Sequence, residues 1–127
     1  MRIKVSEMSV RDSAVSVAFE TEIGTGQATW QGETPAETKT YHVEVNVDET
    51  LDWGTTVLNH NKPEHRIYVQ NGYTHLIGTL ESTDDTGLSV LRIGDSIIEF
   101  EATGQPFPLG SPIELIAGSI SLWPYNL

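Results

Sequence analysis

Four histidines and eighteen carboxylates are the side chains through which this chain could do acid, base or metal chemistry. His60, Glu64 and His65 stand closest together, and imidazole with carboxylate is a zinc-ligand set. Four residues separate the two histidines and one of them is Pro63, whereas the helical metalloprotease motif sets its histidines at i and i+4 of an unbroken helix. A solvated polar loop is expected there, and no metal. His42 and Glu44 share the polar face of one strand, and His75 sits in a hairpin arm; each reads as a surface residue. The pairs Glu20/Glu22, Asp48/Glu49, Asp84/Asp85 and Glu99/Glu101 are common in any acidic chain, so solvent-facing rows are expected of them rather than a glycosidase acid and base. Asp84-Asp85-Thr86-Gly87 lacks the twelve-residue register of a calcium loop and reads as a turn. Gly24-Thr25-Gly26 has neither the Lys-Ser/Thr of a phosphate loop nor the third glycine of a dinucleotide fingerprint, and also reads as a hairpin turn. No serine stands in a Gly-x-Ser-x-Gly elbow, and the absence of cysteine removes thiol nucleophiles, disulfides and thiolate metal sites. The residues therefore predict a non-enzymatic protein without a cofactor.

Charge is the stronger signal. Seven Lys and Arg against eighteen Asp and Glu leave a formal charge of -11 over 127 residues. Such a surface disfavours nucleic acid, whose affinity rests on cations that release counterions, and disfavours anionic membranes. Between Asp12 and Asn61 there are nine acids and one base, Lys39, and after Arg92 four acids and no base. A net charge of about 2 to 8 suffices for solubility in a small domain. The excess predicts a cationic partner. Met1 to Glu7 carries positive charge without an apolar run behind it, and no segment approaches the roughly 18 apolar residues of a span, so a cytoplasmic protein is expected.

The elements that must position these residues are strands. Apolar residues make up 38% of the chain and arrive in short Val-, Ile- and Thr-rich runs broken by eleven glycines and six prolines. Val43-Glu44-Val45-Asn46-Val47-Asp48 alternates strictly, which places the valines on one face. Arg66 to Gln70 and Tyr73 to Leu80 flank Asn71-Gly72, the dipeptide of a type I′ hairpin turn. With Asp84 to Gly87 and Gly94-Asp95 as further turns, residues 66 to 102 read as a four-stranded meander. Ile3 to Val5, Ala14 to Phe19, Gln27 to Trp30, Ile113 to Ala117 and Ile120 to Trp123 complete the strands, while Thr50 to Lys62 reads equally as loop or short helical turn. The fold class expected is all-β: a compact antiparallel β-barrel or β-sandwich of roughly 8–10 short strands in one domain, 1–127.

At an offset of 70 residues Trp30 aligns with Phe100, Val43-Glu44-Val45 with Ile113-Glu114-Leu115, and Trp53 with Trp123. If this echo is a duplication, two similar β-units, 1–58 and 64–127, share one core. From Tyr73 to Trp123 the features also resemble an OB-fold barrel: Leu76-Ile77-Gly78-Thr79-Leu80 with a bending glycine, then Leu88 to Ile93, Ile97 to Glu101, and the approach Pro108 to Leu115. That resemblance implies an oligosaccharide, single-stranded nucleic acid or protein ligand on one barrel face. Thr103 to Ser111 cannot supply the usual helix after the third strand, and the segment lacks interleaved basic and aromatic residues.

Aromatic anchors inside an acidic rim would suit a protein-binding face. Trp30, Trp53 and Trp123 are by default core or core-edge residues, whereas Tyr41, Tyr68, Tyr73, Trp123 and Tyr125 lie at strand ends, beside turns or near the C-terminal end, with Glu44 and Asp48 supplying charge. The reading is an acidic interaction domain that binds a basic protein, in its most concrete form an immunity or inhibitor protein covering the site of a cationic toxin. An OB-like barrel using Tyr68, Tyr73 and Arg66 is the second reading. A small hydrolase is the third, and would require His42 or His75 within reach of a carboxylate in a deep pocket.

Overall fold

A computed structural model describes residues 1–125 as twelve strands. These are β1 (Arg2–Arg11), β2 (Ala14–Thr21), β3 (Gly24–Trp30), β4 (Thr40–Val47), β5 (Leu51–Asp52), β6 (Val57–Asn59), β7 (Arg66–Gln70), β8 (Tyr73–Thr83), β9 (Leu88–Ile93), β10 (Ser96–Thr103), β11 (Pro112–Ala117) and β12 (Ile120–Pro124). There is no helix among the described residues. Alternation sets the faces, since side chains along a strand point to opposite sides. Val15, Val17 and Phe19 of β2 point into the core, and so do Ile98, Phe100 and Ala102 of β10, while Ile97, Glu99 and Glu101 point out.

Eight strands close a barrel in the order β1-β2-β3-β7-β8-β9-β10-β4, and closure removes most of the edges that an open sheet would expose. The expected meander is present as β7 to β10, with Asn71 and Gly72 both at positive φ in the first turn. Two expectations change. The residues read as a turn, Gly24-Thr25-Gly26, lie inside β3, and Glu22-Ile23 forms the turn. Both glycines serve close approach instead: a Cβ on Gly24 would lie 1.8 Å from the Ile67 carbonyl oxygen, and one on Gly26 would meet the Phe19 ring. The helical alternative for Thr50 to Lys62 is replaced by β5 and β6 around a turn at Trp53 to Thr56, where Gly54 has φ 93°. With these two short pieces the strand number is twelve, above the roughly 8–10 expected.

The registers repeat within the chain. β1 and β2 pair Val5 with Phe19 and then slip by one residue at a bulge; β8 and β9 pair Leu80 with Leu91 and then slip in the same way. Before its bulge each of these strands also pairs antiparallel with a fourth strand, β1 with β4 and β8 with β11. Both sets end on the same exchange. β12 runs parallel to β3 and antiparallel to β4, closing the ring β1-β2-β3-β12-β4. β5 runs parallel to β10, while β6 runs antiparallel to β11, so the second set is completed by a strand from the first half, interrupted at the 53–56 turn. The crossover loops are tied together: Asp48 N–H donates to Ser119 O at 2.9 Å, and Glu49 accepts from the amides of Gly118 and Ser119.

Gly78 is the residue at which β8 changes neighbours along one edge, from β7 through Ile77 to β9 from Thr79. A Cβ there would sit 2.3 Å from the Arg92 carbonyl oxygen and 2.9 Å from the Leu91 side chain. Overpacking of this kind costs about 1–3 kcal/mol. Gly78→Ala is therefore expected to lower the unfolding free energy by that amount, seen as a lower urea midpoint at unchanged m-value, and an unchanged midpoint would show that β8 is not pinned there.

Candidate functional site

Two clusters gather the residues with chemistry. The first lies on the outer face of β4 and β12, where the crossover inserts β12 beside β4. Glu44 is directly opposite Trp123, and the Tyr125 amide donates to the His42 carbonyl at 3.0 Å. Trp123 and Tyr125 are each 47% exposed, which for a tryptophan is a large apolar surface left in water. Its ring is nonetheless held: indole Nε1–H donates to Ser121 Oγ at 3.0 Å, and Ser121 Oγ donates to Asp48 Oδ1 at 3.0 Å. β10 joins this face through Glu99 opposite Asn46, and carries Ile97 and Glu101 outward on either side of Glu99. The result is an anchored aromatic with carboxylates around it.

Of the seven expected site residues, four meet here: Trp123, Tyr125, Glu44 and Asp48. The other three do not. The Tyr41 hydroxyl accepts from the Ala36 amide at 2.8 Å, and its ring packs edge-on against the buried Trp30. Tyr73 is exposed but lies against Gly118, in the loop between β11 and β12. Tyr68 belongs to the second cluster. The default placement of the three tryptophans in the core or at its edge holds for Trp30, which is buried, and for Trp53, half-buried against Phe100 and Phe107, but not for Trp123.

The second cluster covers the outer face of β7, β8 and β11. Glu114 Oε2 lies 2.6 Å from His75 Nδ1 and accepts from the Tyr68 hydroxyl at 2.9 Å. The Tyr68 and His75 rings stack at 4.4 Å and 15°, and the Arg66 guanidinium lies 4.8 Å from the Tyr68 centroid. His60 pairs with Glu64 at 2.8 Å and stands 4.0 Å from the second Glu114 oxygen. The surface reading of His75 is thereby overturned, since it is 8% exposed. The signal was in the sequence: Leu76-Ile77 beside it continue an apolar run that breaks alternation, the mark of a strand covered on both faces. His75 thus meets a carboxylate, but in a packed sheet face. It lies outside two clefts of the surface: one of about 440 Å³ is lined by Ser9, Ser16, Gln27, Thr29 and Thr74 among others, and one of about 660 Å³ by Met1 to Lys4 and Ile93 to Ser96 among others. No group of three or more metal-ligating residues is placed to hold an ion among the described residues. The ring of Tyr68, one of the expected ligand platforms, is engaged by His75 and Arg66.

Asp84 illustrates a carboxylate with a structural task. It accepts from the Thr86 hydroxyl at 2.6 Å and from the Thr86 and Leu88 amides, and these bonds hold its carboxyl below the usual range. The chain matches no family model, no curated protein and no solved structure. No helix among the described residues is long and apolar enough to cross a membrane.

Burial, and then the hydrogen bond and charge of Glu114, push the Tyr68 phenol above its ordinary value, because all three favour the neutral form. Glu114→Gln removes the charge while keeping an acceptor. Tyr68 should then ionise at lower pH in an ultraviolet titration, and an unmoved curve would show that Glu114 does not govern it.

Proposed function

We propose that this chain is a non-enzymatic interaction domain whose β4/β12 outer face binds a basic protein, in the manner of an immunity or inhibitor protein that covers a cationic site. The observation that carries the reading is Trp123, exposed yet fixed through Ser121 to Asp48, directly opposite Glu44 and on the face that β10 extends with Glu99 and Glu101. A pre-positioned aromatic has little side-chain entropy left to lose on binding, which is how a single ring comes to dominate an interface. The surrounding carboxylates, on a chain of net charge -11, steer a cationic partner toward it.

A second reading rests on the ring β1-β2-β3-β12-β4, a five-stranded closed unit of the size of an OB-type barrel. Ser9, Ser16 and Thr29 stand opposite one another across β1, β2 and β3 and line the smaller cleft beside Gln27. Hydroxyl and amide groups without a base suit a neutral oligosaccharide better than a nucleic-acid strand.

Affinity capture on the immobilised protein, followed by binding kinetics, tests the first reading. A captured partner of high pI should associate more slowly as salt rises from about 50 to 500 mM, and Trp123→Ala should weaken binding about thirtyfold, the loss of one strong anchor. Salt-independent association, or full affinity in Trp123→Ala, would overturn it. A tryptophan-fluorescence response to oligosaccharides, with no such partner found, would favour the second.

A further inference from the structure

β1 keeps one edge unpaired. Arg2 to Lys4 pair with β4, and Val5 exchanges bonds with Lys39 and Thr38; beyond Val5 no backbone bond on that edge is present among the described residues. The strand nevertheless runs on to Arg11, paired on its other side with β2 as far as Ala14. Asp12 and Ser13, at φ 50° and 67°, form a two-residue turn of the I′ kind, which makes Arg11 and Ala14 the closing hydrogen-bonded pair. Bonded and non-bonded pairs alternate from there, so the N–H and C=O groups of Met8 and Val10 point away from β2, toward the open edge. Val10 is 60% exposed, and no proline lies on the segment. Such an edge is a template for another strand unless something blocks it.

The residues on this edge read the same way to a second copy turned through a two-fold axis. We infer that two copies of the chain pair antiparallel along β1, centred on Ser9, to form one continuous sheet. In that register Met8 faces Val10 of the other copy, and the two exchange both backbone bonds. Glu7 faces Arg11 of the other copy on the opposite surface of the sheet. Centring on Met8 would set Glu7 against Ser9 and would require Val5, whose bonds are already taken; centring on Val10 would set Arg11 against Ser9. Only the Ser9 register matches charge with opposite charge and apolar with apolar. The segment that pairs, Glu7 to Arg11, holds one acid and one base, so neither copy brings net charge to the seam itself. The pairing lies apart from the Trp123 face and is independent of the function proposed for it.

Sedimentation equilibrium on the full chain tests the inference through charge exchange. Wild type is expected to form a dimer. Glu7→Arg and Arg11→Glu, both at exposed positions, each set like charges against each other at two symmetric sites and should raise the dimer dissociation constant at least about tenfold. Mixing the two variants in equal amounts restores opposite charges across the axis and should restore association, and so should the double variant E7R/R11E. A wild type that stays monomeric at about 0.5 mM would overturn the pairing, as would a dimer indifferent to the single variants or a mixture that fails to recover.

Discussion

Neither half of this chain can finish its own sheet. β1 to β4 leave the third and fourth strands without the strand that should lie between them, and β8 to β11 do the same. Each gap exposes backbone donors and acceptors that cost free energy if they are left unpaired in a protein interior. The two halves fill each other's gap. Leu122 of β12 is placed opposite Trp30, and Leu51 of β5 opposite Ala102; all four are buried, so the exchange closes the hydrogen-bond ladders and the apolar core in one step. The crossover loops that make it, at Asp48-Glu49 and Gly118-Ser119, lie against one another, with Glu49 accepting two amides of the opposite loop.

The candidate face follows from that exchange. Trp123 is carried onto the outer surface of β4 because β12 inserts there with Leu122 pointing inward, and alternation then sends Ser121 and Trp123 outward. Asp48 can hold Ser121 because the outgoing crossover starts where the incoming one ends. The acidic and aromatic residues that meet there come from both halves of the sequence.

Local signals in the sequence were legible wherever period and turn chemistry decide alone. Strict alternation marked β4, and Asn71-Gly72 marked the β7/β8 hairpin. Where a residue's task depends on a distant strand, local reading fails. Gly24 and Gly26 look like a turn, yet they are glycines because the Ile67 backbone and the Phe19 ring come too close for a Cβ. An offset of 70 sets Val43 against Ile113, whereas the bulges and ladders place Val43 level with Leu115. A strand pattern of period two looks the same after a shift of two, so only the bulges, which the sequence does not mark, set the true alignment. Trp53 and Trp123 matched in sequence without being equivalent, since Leu51 and Leu122 are the residues facing corresponding third-strand positions. Glu114, His75 and Tyr68 could not be assembled beforehand because three strands bring them together.

If the halves complete one another, neither can open alone. Native-state hydrogen exchange read residue by residue tests this most directly, through the protected amides of Val17 and Phe19 in β2 and of Leu91 in β9. The exchange of fifth strands predicts one common opening free energy and one common denaturant dependence for both sets, lowered together by Leu122→Ala. Two distinct opening free energies, with one half remaining protected while the other exchanges, would contradict it.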